Sequence, residues 1–240
     1  MYRLYKKNEL TFSLLWIGIY VILSTLAENI STAIGTEKII IAPLHIGLVI
    51  FLWLWIRKHN LFERYGLCRF KGDVKKYFYF FPLIIIVSSR LWNGITMKFS
   101  IVETMLYILS MFCVGFIEEI IFRGFLFKAM CKDNIRRAIL ISSITFGIGH
   151  IVNLLNGAEL LATILQIACA VAIGFLFTII FYKGKSLLPC IIAHIAINSL
   201  GAFAVDGSQV FSIIRAIVLS FASVGYAMWI LKNGEQVASA

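Results

Sequence analysis

Stretches of roughly 18–25 apolar residues recur from one end of this 240-residue chain to the other. Each matches a bilayer's hydrocarbon core, about 30 Å at 1.5 Å rise per helical residue. Lipid offers backbone groups no hydrogen-bond partner, so only helices and closed barrels cross it. Runs this long and continuous select helices. We place spans at about 10–27, 39–56, 77–92, 103–127, 138–155, 160–182, 186–201 and 209–231. The predicted fold is therefore all-α, a polytopic membrane bundle of about eight transmembrane helices, with the third and seventh short. The hydrophobic fraction, 60%, is spread along the whole chain and leaves no room for a separate soluble domain.

A net charge of +10 invites a nucleic-acid reading, but the basic residues sit between the apolar runs. With the N-terminus inside, 17 of the 22 Lys and Arg fall in inner segments, and only Lys38, Arg90 and Lys98 fall in outer loops. That asymmetry is the positive-inside pattern. It places the chain in the cell membrane with both termini cytoplasmic, the bilayer as its partner and no nucleic acid. The first run follows Arg3, Lys6 and Lys7 and is read as a retained span, not a cleaved signal. The basic segment 57–76, with Leu61, Phe62, Tyr65, Leu67 and Phe70 interspersed, is either an interfacial helix or a solvated loop. The five cysteines are odd in number and include no C-x-x-C pair, so no disulfide framework is expected.

Ionisable residues inside spans are costly, about 2.5–3.5 kcal/mol each at a helix centre on insertion scales. Three occur together in the fourth span, in Glu118-Glu119-Ile-Ile-Phe-Arg123. His150 lies in the fifth, four residues after Phe146, and the seventh carries His194-Ile-Ala-Ile-Asn198. Glu119 and Arg123 are four apart, in the favourable acid-then-base order, and are expected to pair. Glu118 is rotated about 100° away and is free to point elsewhere. His194 and Asn198 share a face, and Phe146 can wall the cavity beside His150. At 1.5 Å per residue all four polar groups lie roughly 12–18 Å from the cytoplasmic edge.

Hydrolysis suits these groups. A carboxylate in apolar surroundings is a stronger base than one in water. Glu118 can take a proton from a water shared with His150, and His194 and Asn198 can donate to the developing oxyanion. Two glutamates and two histidines are also a set that zinc accepts. Against it, there is no H-E-x-x-H, and an arginine pairs with one of the glutamates, so no cofactor is expected. Each residue alone also has a packing reading. Glu118 and Glu119 can serve an interhelical ion network, and either histidine can be a satisfied core residue. A transporter would explain buried carboxylates too, but no inverted repeat or paired broken helices are present.

The patterns Glu118-Glu119-x-x-x-Arg123, Phe146-x-x-x-His150 and His194-x-x-x-Asn198, in this order on successive apolar spans, resemble the CAAX protease and bacteriocin-processing family (CPBP, or Abi). That family includes the eukaryotic prenyl-protein endopeptidase and many bacterial membrane proteins. The resemblance covers about residues 103–201, leaving 1–102 as N-terminal transmembrane helices and 202–240 as a last helix and tail. It implies an intramembrane endopeptidase acting on a peptide or membrane-protein substrate. Glu118 and His150 would activate water, His194 and Asn198 would form the oxyanion hole, and Glu119 and Arg123 would orient them. It leaves open a zinc-dependent version, or a silent immunity or partner-scaffold protein.

Overall fold

The computed structural model describes residues 1–234, and the tail at 235–240 lies outside the described residues. Within them the regular structure is all helix, apart from one isolated antiparallel bridge between Ile95 and Ala204. Short α1 (Tyr2–Lys7) leads into α2 (Glu9–Ile34) and α3 (Ile41–Lys58). After a stretch of turns come α4 (Phe81–Ser88) and α5 (Ile101–Glu118). The axis of α5 continues through a π-helical segment, Glu119–Phe127, into a last turn, α6 (Lys128–Met130). Next is α7 (Ile135–Gly149), prolonged as a 3-10 helix over His150–Asn156. The chain closes with α8 (Leu160–Gly184), α9 (Leu188–Ser199) and α10 (Gln209–Asn233).

Six of these helical stretches are long and apolar enough to cross a membrane: Glu9–Ile34, Ile41–Lys58, Ile101–Met130, Ile135–Asn156, Leu160–Gly184 and Gln209–Asn233. The two runs expected to be short are α4 and α9, at 8 and 12 residues. Among the described residues eight apolar helices are therefore present, of which six have spanning length. The basic segment 57–76 is no interfacial helix. Past the end of α3 it forms turns, then enters a 3-10 segment at Val74.

Local chemistry sets the helix starts. Asn8, Asn134 and Ser208 accept from the backbone amides of Thr11, Arg137 and Phe211, and Ser100 forms a capping box with Glu103. Pro82 and Pro189 stand in the first turns of α4 and α9, where a missing N–H costs nothing.

Loop contacts define the two ends of the bundle. At one, Glu9 pairs with Arg64 at 2.6 Å and Lys132 at 3.0 Å, and Leu187 N donates to Gly66 O at 2.8 Å. This basic end gathers the lysine- and arginine-rich loops. At the far end, Glu37 N donates to Glu103 Oε1 at 3.1 Å and Lys98 pairs with Asp206 at 2.9 Å.

Lipid is as apolar as leucine, so close packing and polar contacts, more than water exclusion, hold such helices together. Helix α5 meets α3 and α9, while α8 packs between α7 and α10. The crossing of α5 with α9 is tight at Gly115. A Cβ there would lie 2.6 Å from Ile195 Cγ1 and 2.9 Å from the Ile195 amide nitrogen. Glycine at this point lets the backbone carrying His194 approach the one carrying the two glutamates. The π-helical segment is a departure from the uniform 3.6-residue geometry expected for the fourth span. Its widened turns are typical of functional sites, and Ser142 Oγ of α7 donates to the Phe122 carbonyl within it at 2.9 Å.

Candidate active site

Glu118 is the last α-helical residue of α5, and Glu119 opens the π-helical segment. The two side chains part as the sequence predicts. Glu119 and Arg123 are fully buried and pair at 3.0 Å through Nη1 and Oε1. The guanidinium lies over the Phe146 ring at 4.1 Å to the centroid, a cation–π contact. Glycine at 174 makes room for it, since a Cβ there would lie 3.0 Å from both Arg123 Nη2 and Phe146 Cδ1.

The pair is not closed on itself. Glu119 Oε1 also accepts from His194 Nδ1 at 2.9 Å. Because Glu119 already accepts from arginine, Nδ1 of His194 carries a proton, and its Nε2 turns to Glu118 Oε2 at 3.6 Å. Buried Arg–Glu pairs seldom add net stability, and here Glu119 Oε2, Arg123 Nε and Arg123 Nη2 have no hydrogen-bond partner. What the pair does supply is a fixed imidazole.

Glu118 retains 15% side-chain exposure against none for Glu119. Its other oxygen, Oε1, accepts from the Tyr20 hydroxyl at 2.7 Å. Tyr20, on α2, is a site residue that the sequence does not reveal. A tyrosine in an apolar span reads as packing, and the contact joins residues 98 apart in sequence.

His150 begins the 3-10 extension of α7, and its Nδ1 donates to the Phe146 carbonyl at 3.1 Å. That fixes the tautomer and leaves Nε2 as an acceptor. Phe146 stands edge-on to both histidine rings, with centroids 5.3 Å from His150 and 5.7 Å from His194. The carboxamide of Asn198 has no hydrogen-bond partner among the described residues and faces open space.

That space comprises two adjoining chambers that share part of their lining. One of about 260 Å³ is lined by Glu118 and Tyr20, the other, of about 330 Å³, by His194. Arg90, Phe146, His150, Gln166 and Asn198 face both. Glu118, His150, His194 and Asn198 are thus brought to one region, with Glu119 and Arg123 behind His194. Arg90, an outer-loop charge by its place in the sequence, also reaches this region. It lies after α4, and its Nε donates to the Ile197 carbonyl at 3.3 Å.

A metal would need three or four converging donors. Among the described residues no three His, Cys, Asp or Glu form such a group. Oε1 of Glu119 is already taken by Arg123 and His194, and a guanidinium so close opposes a dication. The donor set does not fit a zinc site.

Glu118 stands beside His194, and His150 and the Asn198 carboxamide face the same region. Residues 100–200 match the family model described as type II CAAX prenyl endopeptidase Rce1-like. The match runs from α5 through α9, is consistent with the CPBP family, and supports intramembrane endopeptidase activity in general. No curated protein and no solved structure matches the chain.

Proposed function

We propose that the protein is a multi-pass enzyme of the cell membrane, with cytoplasmic termini, that hydrolyses a peptide bond of a membrane-associated peptide or protein. Glu118 takes a proton from a water that His150 Nε2 helps to position. The oxygen of that water attacks the amide carbonyl, and the negative charge forming on the carbonyl oxygen is met by the Asn198 carboxamide and by Nε2–H of His194. For that step His194 first takes a second proton from bulk solvent, so that Nε2–H donates while Glu119 accepts from Nδ1. The protonated Glu118 then gives its proton to the departing amine as the C–N bond breaks. Glu119, Arg123 and Phe146 orient His194, and no metal takes part.

The observation that carries this reading is the placement of Glu118. It is held between the Tyr20 hydroxyl at 2.7 Å and His194 Nε2 at 3.6 Å, on the wall of a polar chamber inside an otherwise apolar bundle. The test is a comparison of peptides and new protein termini in membranes carrying the unaltered chain or Glu118→Gln. Termini that appear only with the unaltered chain support hydrolysis. Identical sets, with any biological output preserved in the variant, replace the enzyme reading with a scaffold or immunity role.

A further inference from the structure

The lining of both chambers runs from the middle of the bundle to the helix ends opposite the basic loops. The smaller is lined by Glu28, Lys38, Tyr107 and Asn156, all from the far end of α2, α5, the 3-10 extension of α7 and the loop before α3. The larger is lined by Ser89 and Arg90 after α4, by Ala162 and Gln166 in the first turns of α8, and by Ser212 and Arg215 in the first turns of α10. None of the lining residues belongs to the basic-end loops, which contribute Arg64, Lys71, Lys132 and Lys185.

The charges of the larger chamber are unbalanced, for among the described residues no carboxylate lines it. In the smaller one Lys38 pairs with both Glu28 and Glu37, and Glu118 also faces it. Arg90 and Arg215 have no carboxylate within ion-pairing distance among the described residues. Arg90 spends only Nε on a backbone carbonyl, and Arg215 lies over the Phe211 ring at 5.9 Å. The two guanidiniums face the same chamber as His194 and Asn198, which Ser89, Ser212 and Gln166 also line. Two cations converging in a partly desolvated cavity repel each other and raise the local concentration of anions, by about 10-fold or more in a focused cleft. A guanidinium is also the side chain best shaped to bind a carboxylate through two parallel hydrogen bonds.

From these features we propose that the hollow is entered from the far, extracytoplasmic end of the bundle, and that Arg90 and Arg215 at that entrance hold an acidic group of the entering peptide. The substrate class is then a carboxylate-bearing segment presented on the outer side of the membrane, not a cytoplasmic protein. This rests on reading the hollow as the site of peptide hydrolysis, but its test does not depend on turnover.

The native Cys169 lines the larger chamber, and Ser212→Cys places a second thiol nearer its mouth. Membrane-impermeant methanethiosulfonates, one anionic and one cationic, are added to right-side-out vesicles and to inverted ones. Their labelling rates are normalised to those with a free thiol in solution. An independent marker enzyme sets the sidedness of each vesicle preparation, and Cys68 and Cys131 report which face the basic end occupies. The expected result is labelling of Cys169, or of the thiol introduced by Ser212→Cys, from outside, with the anionic reagent favoured about tenfold. Arg90→Gln with Arg215→Gln should remove that preference while labelling persists. Labelling of the chamber only in inverted vesicles, labelling of Cys68 and Cys131 from outside, or equal normalised rates for the two reagents would each overturn the proposal. The proteolytic reading would be untouched by any of these.

Discussion

Nδ1 of His194 lies 2.9 Å from Oε1 of Glu119, the same oxygen that accepts from Arg123 at 3.0 Å. One carboxylate oxygen thus ties the seventh apolar helix to the fourth and fixes which face of the imidazole turns to Glu118. Removing the cation leaves a buried carboxylate with one neutral partner. Arg123→Ala should destabilise the protein by about 3–5 kcal/mol, the range for breaking a buried pair. Thermal unfolding in detergent measures it. Arg123→Lys should recover only part of that loss, because an ammonium does not reproduce the flat guanidinium over Phe146.

Tyr20 touches Glu118 without belonging to the matched segment. A hydrogen bond to a charged group contributes about 1.5–3 kcal/mol, and Glu118 is fixed on that side by this bond alone. Tyr20→Phe should lower kcat about tenfold, leave KM near its original value and lower stability by no more than about 1.5–3 kcal/mol. Steady-state kinetics on any cleaved peptide separates this from a packing role, which would lower folded protein and spare turnover per molecule.

The close crossing at Gly115 gives a geometric test. Gly115→Val puts side-chain atoms where Ile195 and its backbone now lie, an overpacking cost of about 1–3 kcal/mol. The strain displaces α9, so His194 and Asn198 move away from Glu118 together. Activity should fall by more than stability does, as seen by pairing an activity assay with an unfolding curve. Gly18, where an added Cβ meets nothing within 4 Å, is the control position for a glycine-to-valine change in a span.

Metal dependence separates two mechanisms that share the same residues. With Glu119 occupied by Arg123 and His194, prolonged treatment with a strong zinc chelator should leave cleavage unchanged, and added zinc should not raise it. Loss of activity on chelation with recovery on adding zinc would contradict the metal-free account.

Much of this architecture was written in residue type and spacing. The apolar runs gave the helices and their order, because only hydrocarbon thickness requires such lengths. The lysine and arginine imbalance matched the grouping of loops at one end. The four-residue spacing of Glu119 and Arg123 gave their pair, a contact local to one helix. What stayed hidden depends on tertiary packing. The π-helical turns after Glu118 answer to α7, through Ser142 on the Phe122 carbonyl, and no periodicity announces them. Tyr20 and Arg90 reach the site from helices far away in sequence. His194 was expected only at the oxyanion, yet it also closes a network with both glutamates, because the glycine at 115 sets a helix separation that spacing within one helix cannot reveal.

The central claim is that the Glu118 carboxylate activates the attacking water. The most direct measurement is the cleavage rate of a substrate peptide by purified, reconstituted protein, with and without Glu118→Gln, alongside a thermal unfolding curve of each. General-base catalysis contributes about 10²–10⁴-fold. The account predicts a rate at least about 100-fold lower in a variant that unfolds at nearly the same temperature. A Glu118→Gln protein that is folded and cleaves at the original rate would contradict it.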